Sequence, residues 1–357
     1  MNRSGWQGAI LVVASLTVAA CGGSGSPTTP SNPAPTQQPD PLRDAASASG
    51  KLIGTAIQSE LLRLPQYSTV LARHFNYVTA EYEMKMNIVA PGRDSRNFSA
   101  GDTIVAFALA NGMRIKGHAL VWHGAVPAWV EALSPDDLRM ALQNYIRDVV
   151  THYRGEVLAW DVVNEAVADD GSGLRDTVFR RKLGDGYIAE AFRRAREADS
   201  NALLFYNDYG GEGLNAKSNR IYELVSSLRA QGVPIDGVGL QMHITATNPP
   251  SAASIASNMR RLADLGLLVN ISEMDVRVRD VPGPLQARFD VQKSVYKSIV
   301  EVCVAEPRCD AATFWGFTDA YSWIDRQYGA DDPLLFDEQY APKPAFYGVI
   351  EALLRRP

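Results

Sequence analysis

The sequence is poor in the residues that metal and redox proteins rely on. Its 357 residues hold three cysteines and five histidines. They are too few and too scattered for a structural zinc site. No His-x-His pair ends the first strand candidate, so a metal-dependent hydrolase is disfavoured, and neither metal nor cofactor is expected. A Gly-rich phosphate loop is also missing after that strand, which argues against a dinucleotide-binding sheet. Positive charge is not in excess. Lys and Arg number 35 against 40 Asp and Glu, for a net charge of −5. Without a basic stripe, nucleic acid is not expected as a partner. The apolar run at 9–20 is too short to span a bilayer.

The remainder is ordinary globular material, 46% hydrophobic and 21% charged, enough for a sizeable core. Only the first 48 residues differ. Arg3 precedes the apolar run, which ends in Val18-Ala19-Ala20-Cys21. This pattern resembles a bacterial lipoprotein signal, cleaved before Cys21 and lipidated there. Residues 22–48 are rich in Gly, Ser, Thr, Pro and Gln and read as a disordered tether. The expected organisation is a signal at 1–21, the tether at 22–48 and one catalytic domain at 49–357. Lipidation of Cys21 would anchor the exported chain to a membrane. The outer membrane is favoured, because Gly22 replaces the aspartate associated with inner-membrane retention. Monomer is the default. Cys303 and Cys309 lie close in sequence with Pro307 between them. In an oxidising compartment a small-loop disulfide is the favoured reading, and two buried thiols the alternative.

From Lys51 onward, short apolar runs alternate with longer amphipathic ones. Strands are predicted at 52–57, 77–80, 114–120, 157–163, 202–206, 237–242, 267–271 and 311–316. Helices are predicted at 136–153, 187–199, 216–231, 251–265 and 287–303, the first opened by Ser134-Pro135. Eight strands alternating with helices predict a single-domain (β/α)8 TIM barrel of the α/β class. In such a barrel every strand ends on one face, where sites are built.

Two strands end in a glutamate. One carries Trp160-Asp161-Val162-Val163-Asn164-Glu165, the other Ile271-Ser272-Glu273-Met274-Asp275. Two carboxyls flanking one bond are the equipment of a glycosidase. Other strand ends supply Glu81, Tyr82, Lys85, His118, Trp122, Asn207, Asp208, Tyr209, Gln241, His243, Trp315 and Trp323. Amides, imidazoles and indoles of this kind suit sugar hydroxyls and the apolar faces of pyranose rings. Trp160, inside its strand, reads as core, and His74 and His152 as structural.

These residues resemble glycoside hydrolase family 10, the endo-β-1,4-xylanases, from about residue 50 to 354. The carrying motifs are GHALVWH (117–123), WDVVNE (160–165), GLQMHI (239–244), ISEMDV (271–276) and FWGFTDAYSW (314–323), with PLLFD (333–337) and PKPAFYGV beyond. The resemblance implies retaining hydrolysis of internal β-1,4-xylosidic bonds of xylan or xylo-oligosaccharides. Glu165 would be acid/base and Glu273 nucleophile. Asn164 would bind the 2-hydroxyl of the sugar being cleaved. His243 and Asp275 would keep Glu273 ionised. Glu81, Lys85, His118, Trp122, Tyr209 and Gln241 would hold substrate, with Trp315 and Trp323 at the cleft floor and rim. Some members also carry a disulfide matching Cys303–Cys309.

The sequence departs from the family pattern at Tyr82, Met86 and Ala125. Tyr82 and Ala125 stand where amides are usual, and Met86 where a tryptophan is. All three changes imply altered binding on the non-reducing side. A barrel glycosidase preferring β-glucan or short substituted chains is the alternative with the same chemistry. A glycan-capturing surface lipoprotein without turnover is the alternative of another class.

Overall fold

The sheet closes on itself. In the computed structural model, which describes residues 41–355, the strands are β1 (Leu52–Ile57), β2 (Tyr77–Ala80), β3 (Arg114–Trp122), β4 (Ala159–Asn164), β5 (Leu203–Asp208), β6 (Gly237–Leu240), β7 (His243–Thr245), β8 (Leu268–Arg277) and β9 (Ala311–Phe314). All neighbours run parallel in the order β6-β5-β4-β3-β2-β1-β9-β8, and a β6–β8 pairing completes an eight-stranded ring. The short β7 pairs only with β8, outside the ring.

The barrel is the predicted one, but the strand expected at 267–271 runs on as β8 to Arg277, so that Glu273 lies within it, and strand six is interrupted. The continuous strand expected at 237–242 stops at Leu240 and resumes at His243. Met242 between them takes φ 67°, a left-handed conformation that leaves the ladder.

Helices surround the ring: α1 (Leu42–Ala48), α2 (Pro65–His74), α3 (Met86–Val89), α4 (Ser99–Ala110), α5 (Ala128–Glu131), α6 (Pro135–His152), α7 (Val178–Leu183), α8 (Tyr187–Ala198), α9 (Ala216–Ala230), α10 (Ala252–Ala263), α11 (Leu285–Ala305), α12 (Trp323–Tyr328) and α13 (Pro344–Leu353). Ser134 caps α6 as its sequence predicts, its Oγ accepting from the Asp137 N–H at 3.2 Å. Leu138, Leu142, Tyr145, Ile146 and Val149 bury the face of that helix toward the sheet. Trp160 is fully buried and faces Tyr153 just beyond α6. Gly117 makes room for it, since a Cβ there would meet the Trp160 ring at 2.2 Å.

The tether boundary at 48 is corrected. Leu42–Ala48 is a helix whose Leu42, Ala45 and Ala46 are buried. It packs against β1, α2 and α13. Arg43 Nη1 donates to the Ala72 carbonyl at 2.8 Å. Its three alanines, Leu42 and Arg43 are good helix formers, with none of the Gly or Pro of the run before it, and packing completes so short a helix. The signal, Cys21 and the tether up to residue 40 lie outside the described residues. Among those described, no helix is long and apolar enough to cross a membrane. Cys303 at the end of α11 and Cys309 before β9 form a disulfide with Cα atoms 5.2 Å apart. His74 is buried and accepts from the Leu42 N–H at 3.4 Å. His152 lies 2.7 Å from Asp102.

Candidate active site

β4 delivers the first carboxylate. With Trp160 turned to the helices, alternation turns Asp161 into the barrel. There Asp161 meets Lys116 at 2.8 Å and His118 Nδ1 at 2.9 Å. The strand ends at Asn164, and Glu165 follows with φ 56°. That conformation costs a non-glycine residue on the order of 1–3 kcal/mol unless its surroundings enforce it. Trp122 Nε1 donates to Glu165 Oε2 at 2.6 Å, and Gln241 Nε2 to its Oε1 at 3.1 Å.

β8 delivers the second. Glu273 is 4% exposed. His243 Nε2 lies 3.2 Å from its Oε2, while Nδ1 lies 2.7 Å from Asp275. Asn207 Nδ2 donates to Glu273 Oε1 at 2.6 Å. Burial works to protonate Glu273, but the charge of His118, 3.8 Å away, and the hydrogen bond and charge of His243 overcome it. The carboxyl is held at about 2, against an ordinary 4.5. His243 is desolvated, yet the Asp275 and Glu273 carboxylates raise its pKa well above the usual imidazole value. An ionised carboxylate braced by cations suits a nucleophile.

A chain of amides joins the two. Asn207 Nδ2 also donates to Asn164 Oδ1 at 2.9 Å, and Gln241 Nε2 reaches the same oxygen at 3.2 Å. Ser272 Oγ donates to Asn207 Oδ1 at 2.6 Å. Gly239 leaves the space, since a Cβ there would fall 2.1 Å from that oxygen.

Around them lies an open cleft lined by Lys85, His118, Trp122, Tyr209, Trp315 and Trp323, with Tyr82 at its edge. Lys85 Nζ stands 4.6 Å from the Trp122 ring and 4.9 Å from that of Tyr82. Burial lowers its pKa against the pull of Glu273, Glu81 and Glu165. Trp323 Nε1 donates to Asp275 at 2.8 Å.

Not every expected residue reaches the cleft. Asp275, expected only as support for Glu273, lies behind His243. Glu81 is buried and absent from the cleft lining, and its Oε2 accepts from Gln58 at 2.9 Å. Met86 opens α3 inside the hydrophobic core. Ala125 is buried after β3. Neither side chain lines the cleft, as a lost contact would have it, and Tyr82 is the one of the three that does. Tyr82 accepts a hydrogen bond from Arg326 of α12, whose guanidinium also lies 3.5 Å from Glu81.

The structure adds partners that strand ends alone do not reveal. Asn207 was visible there without a role, and Asp161 was signalled only by being an acid within a buried strand. Arg277 and Tyr328 join the lining from β8 and α12, and no pattern in the sequence pointed to them.

Comparison with known proteins agrees with this geometry. Residues 41–352 match the family described as Glycosyl hydrolase family 10. The chain is 41% identical over 319 residues to endo-1,4-beta-xylanase B of Thermotoga neapolitana, covering 88% of this chain and 91% of the relative. It is 39% identical over 312 residues to an endo-1,4-beta-xylanase of Agaricus bisporus, covering 86% and 92%. Among solved structures, xylanase 10B of Thermotoga petrophila in complex with xylobiose superposes with a TM-score of 0.85 at 40% identity, covering 88% of this chain and 98% of that one.

Proposed function

The chain belongs to glycosyl hydrolase family 10 and is a retaining endo-β-1,4-xylanase, and on that premise we propose how its own residues carry the reaction. Glu273 attacks the anomeric carbon of the sugar lodged beside Asn164. The glycosidic C–O bond breaks, and its oxygen leaves with the proton of Glu165. Glu165, now a carboxylate, takes a proton from water. That water displaces Glu273 from the sugar, and two inversions restore the starting configuration. The observation that carries this assignment is the contrast between the two carboxyls. Glu273 is fixed as an anion by His243 and Asn207. Glu165 faces the open cleft and, among the described residues, its carboxyl accepts from the neutral donors Trp122, Gln241 and Asn164.

The test compares kcat/KM on an aryl β-xylobioside with the matching aryl β-cellobioside, with Glu273→Ala as the blank. Preference for the xylobioside supports the site reading. Equal or reversed preference would mean that the Tyr82 rim has moved specificity toward glucans. Turnover by wild type no greater than that of the Glu273→Ala blank would leave only glycan capture.

Two finer readings accompany it. The Tyr82–Arg326 pair narrows one rim of the cleft beside Lys85, and so favours short or substituted xylo-oligosaccharides. Cys21 anchors the exported enzyme by lipid, which radiolabelled palmitate incorporation, lost in Cys21→Ala, would test.

A further inference from the structure

The turn that carries Glu165 is held with unusual completeness. The Glu165 N–H donates to the Asn207 carbonyl at 2.8 Å. The Ala166 and Val167 N–H groups both donate to the Tyr206 hydroxyl, each at 3.1 Å. On the other side, Arg175 donates from Nε to the Glu165 carbonyl at 3.1 Å, from its own N–H to that of Ala166 at 2.7 Å, and from Nη2 to that of Val167 at 3.2 Å. All six main-chain polar groups of three consecutive residues are satisfied.

Tyr206 is the unusual member. It is fully buried within β5. Its hydroxyl accepts two amides and donates to Asp208 Oδ2. Asp208 is itself fully buried, and its Oδ1 meets Lys217 Nζ of α9 at 2.9 Å. None of these three side chains touches the nucleophile or lines the cleft. An ionised acceptor strengthens and orients the hydroxyl that donates to it, so the oxygen's lone pairs are left facing the two amides.

We propose that Tyr206, braced by Asp208 and Lys217, is the positioning residue for Glu165, its hydroxyl fixing the left-handed turn that aims the carboxyl at the leaving oxygen. This rests on Glu165 being the acid/base. Phenylalanine at 206 fills the same space but strips the Ala166 amide of its acceptor. The Val167 amide keeps only a longer approach to Asp208, at 3.4 Å. Glu165 is then free to return to ordinary φ, which turns its side chain away from the leaving group.

The experiment uses the full chain and a series of aryl β-xylobiosides, from 2,4-dinitrophenyl, which departs without a proton, to phenyl, which needs one. For Tyr206→Phe, kcat/KM is expected to stay within about threefold of wild type on the dinitrophenyl substrate and to fall at least about thirtyfold on the phenyl one. Azide, which attacks the glycosyl-enzyme without base assistance, should restore kcat on the dinitrophenyl substrate. A loss equal across the series, or no loss, overturns the proposal. Glu165→Ala is run in parallel: if its own series is flat, the acid/base assignment fails rather than this one. Should Tyr206→Phe not fold, Asp208→Asn keeps the shape and weakens the brace. It should steepen the series in the same sense, and a uniform change there overturns the proposal equally.

Discussion

Trp122 donates its indole N–H to Glu165 at 2.6 Å. One aromatic residue thus walls the cleft and holds the proposed acid/base. Trp122→Phe keeps an apolar face and removes only the donor. A hydrogen bond to a charged group is worth about 1.5–3 kcal/mol, so kcat/KM on xylo-oligosaccharides should drop about ten- to a hundredfold. A drop confined to KM would mean that the indole serves the sugar alone.

The pH dependence follows from Glu273. Its folded pKa, about 2, lies below the ordinary 4.5. Its contribution to stability is therefore present above about pH 4.5 and is lost as the pH falls toward 2. It amounts to roughly 3 kcal/mol. Glu273→Gln lacks it, so the stability gap between wild type and this variant should narrow on acidification, as read by urea unfolding at pH 6 and pH 3. In kinetics, His243→Gln removes part of what opposes burial. The acid limb of kcat/KM should then move up by at least about one pH unit. An unmoved limb would show that His243 does not hold the charge.

Tyr82→Asn breaks the contact with Arg326 and opens the rim. Cleavage of xylo-oligosaccharides of defined length should shift toward longer chains, by a few-fold in kcat/KM, equivalent to about 1 kcal/mol. An unchanged product pattern removes Tyr82 from the account of specificity.

Leu42 is fully buried in α1. Leu42→Ala should cost about 2–5 kcal/mol with little effect on kcat/KM. Removing residues 1–48 should destabilise the barrel, whereas removing residues 1–40 should not. Equal melting temperatures for the two truncations would return the boundary to 48.

Much of this molecule was legible before its structure. Strand period, strand count and helix starts gave the barrel, because a parallel strand buried on both faces leaves a continuous apolar run such as Val157-Leu158-Ala159-Trp160. Both glutamates were legible because all strands of a barrel end on one face. Three kinds of feature were not. α1 is too short to stand out beside the linker before it, and its packing partners are remote in sequence. The burial of Met86 and Ala125 depends on packing that the sequence pattern around them does not express. The bracing of Glu165 by Tyr206 and Arg175 joins loops whose proximity no spacing in the sequence expresses.

The interruption of strand six bears on the reaction as a whole. Gln241 reaches Glu165 at 3.1 Å, and His243, two residues on, reaches Glu273 at 3.2 Å. The left-handed Met242 between them lets one strand serve both. A proline there, locked near φ −65°, should slow formation and hydrolysis of the glycosyl-enzyme together in a pre-steady-state assay. The spacing of the two carboxyls decides the stereochemical outcome. Because the same three residues touch both carboxyls, a displacement of that segment would alter the contacts of acid and nucleophile together.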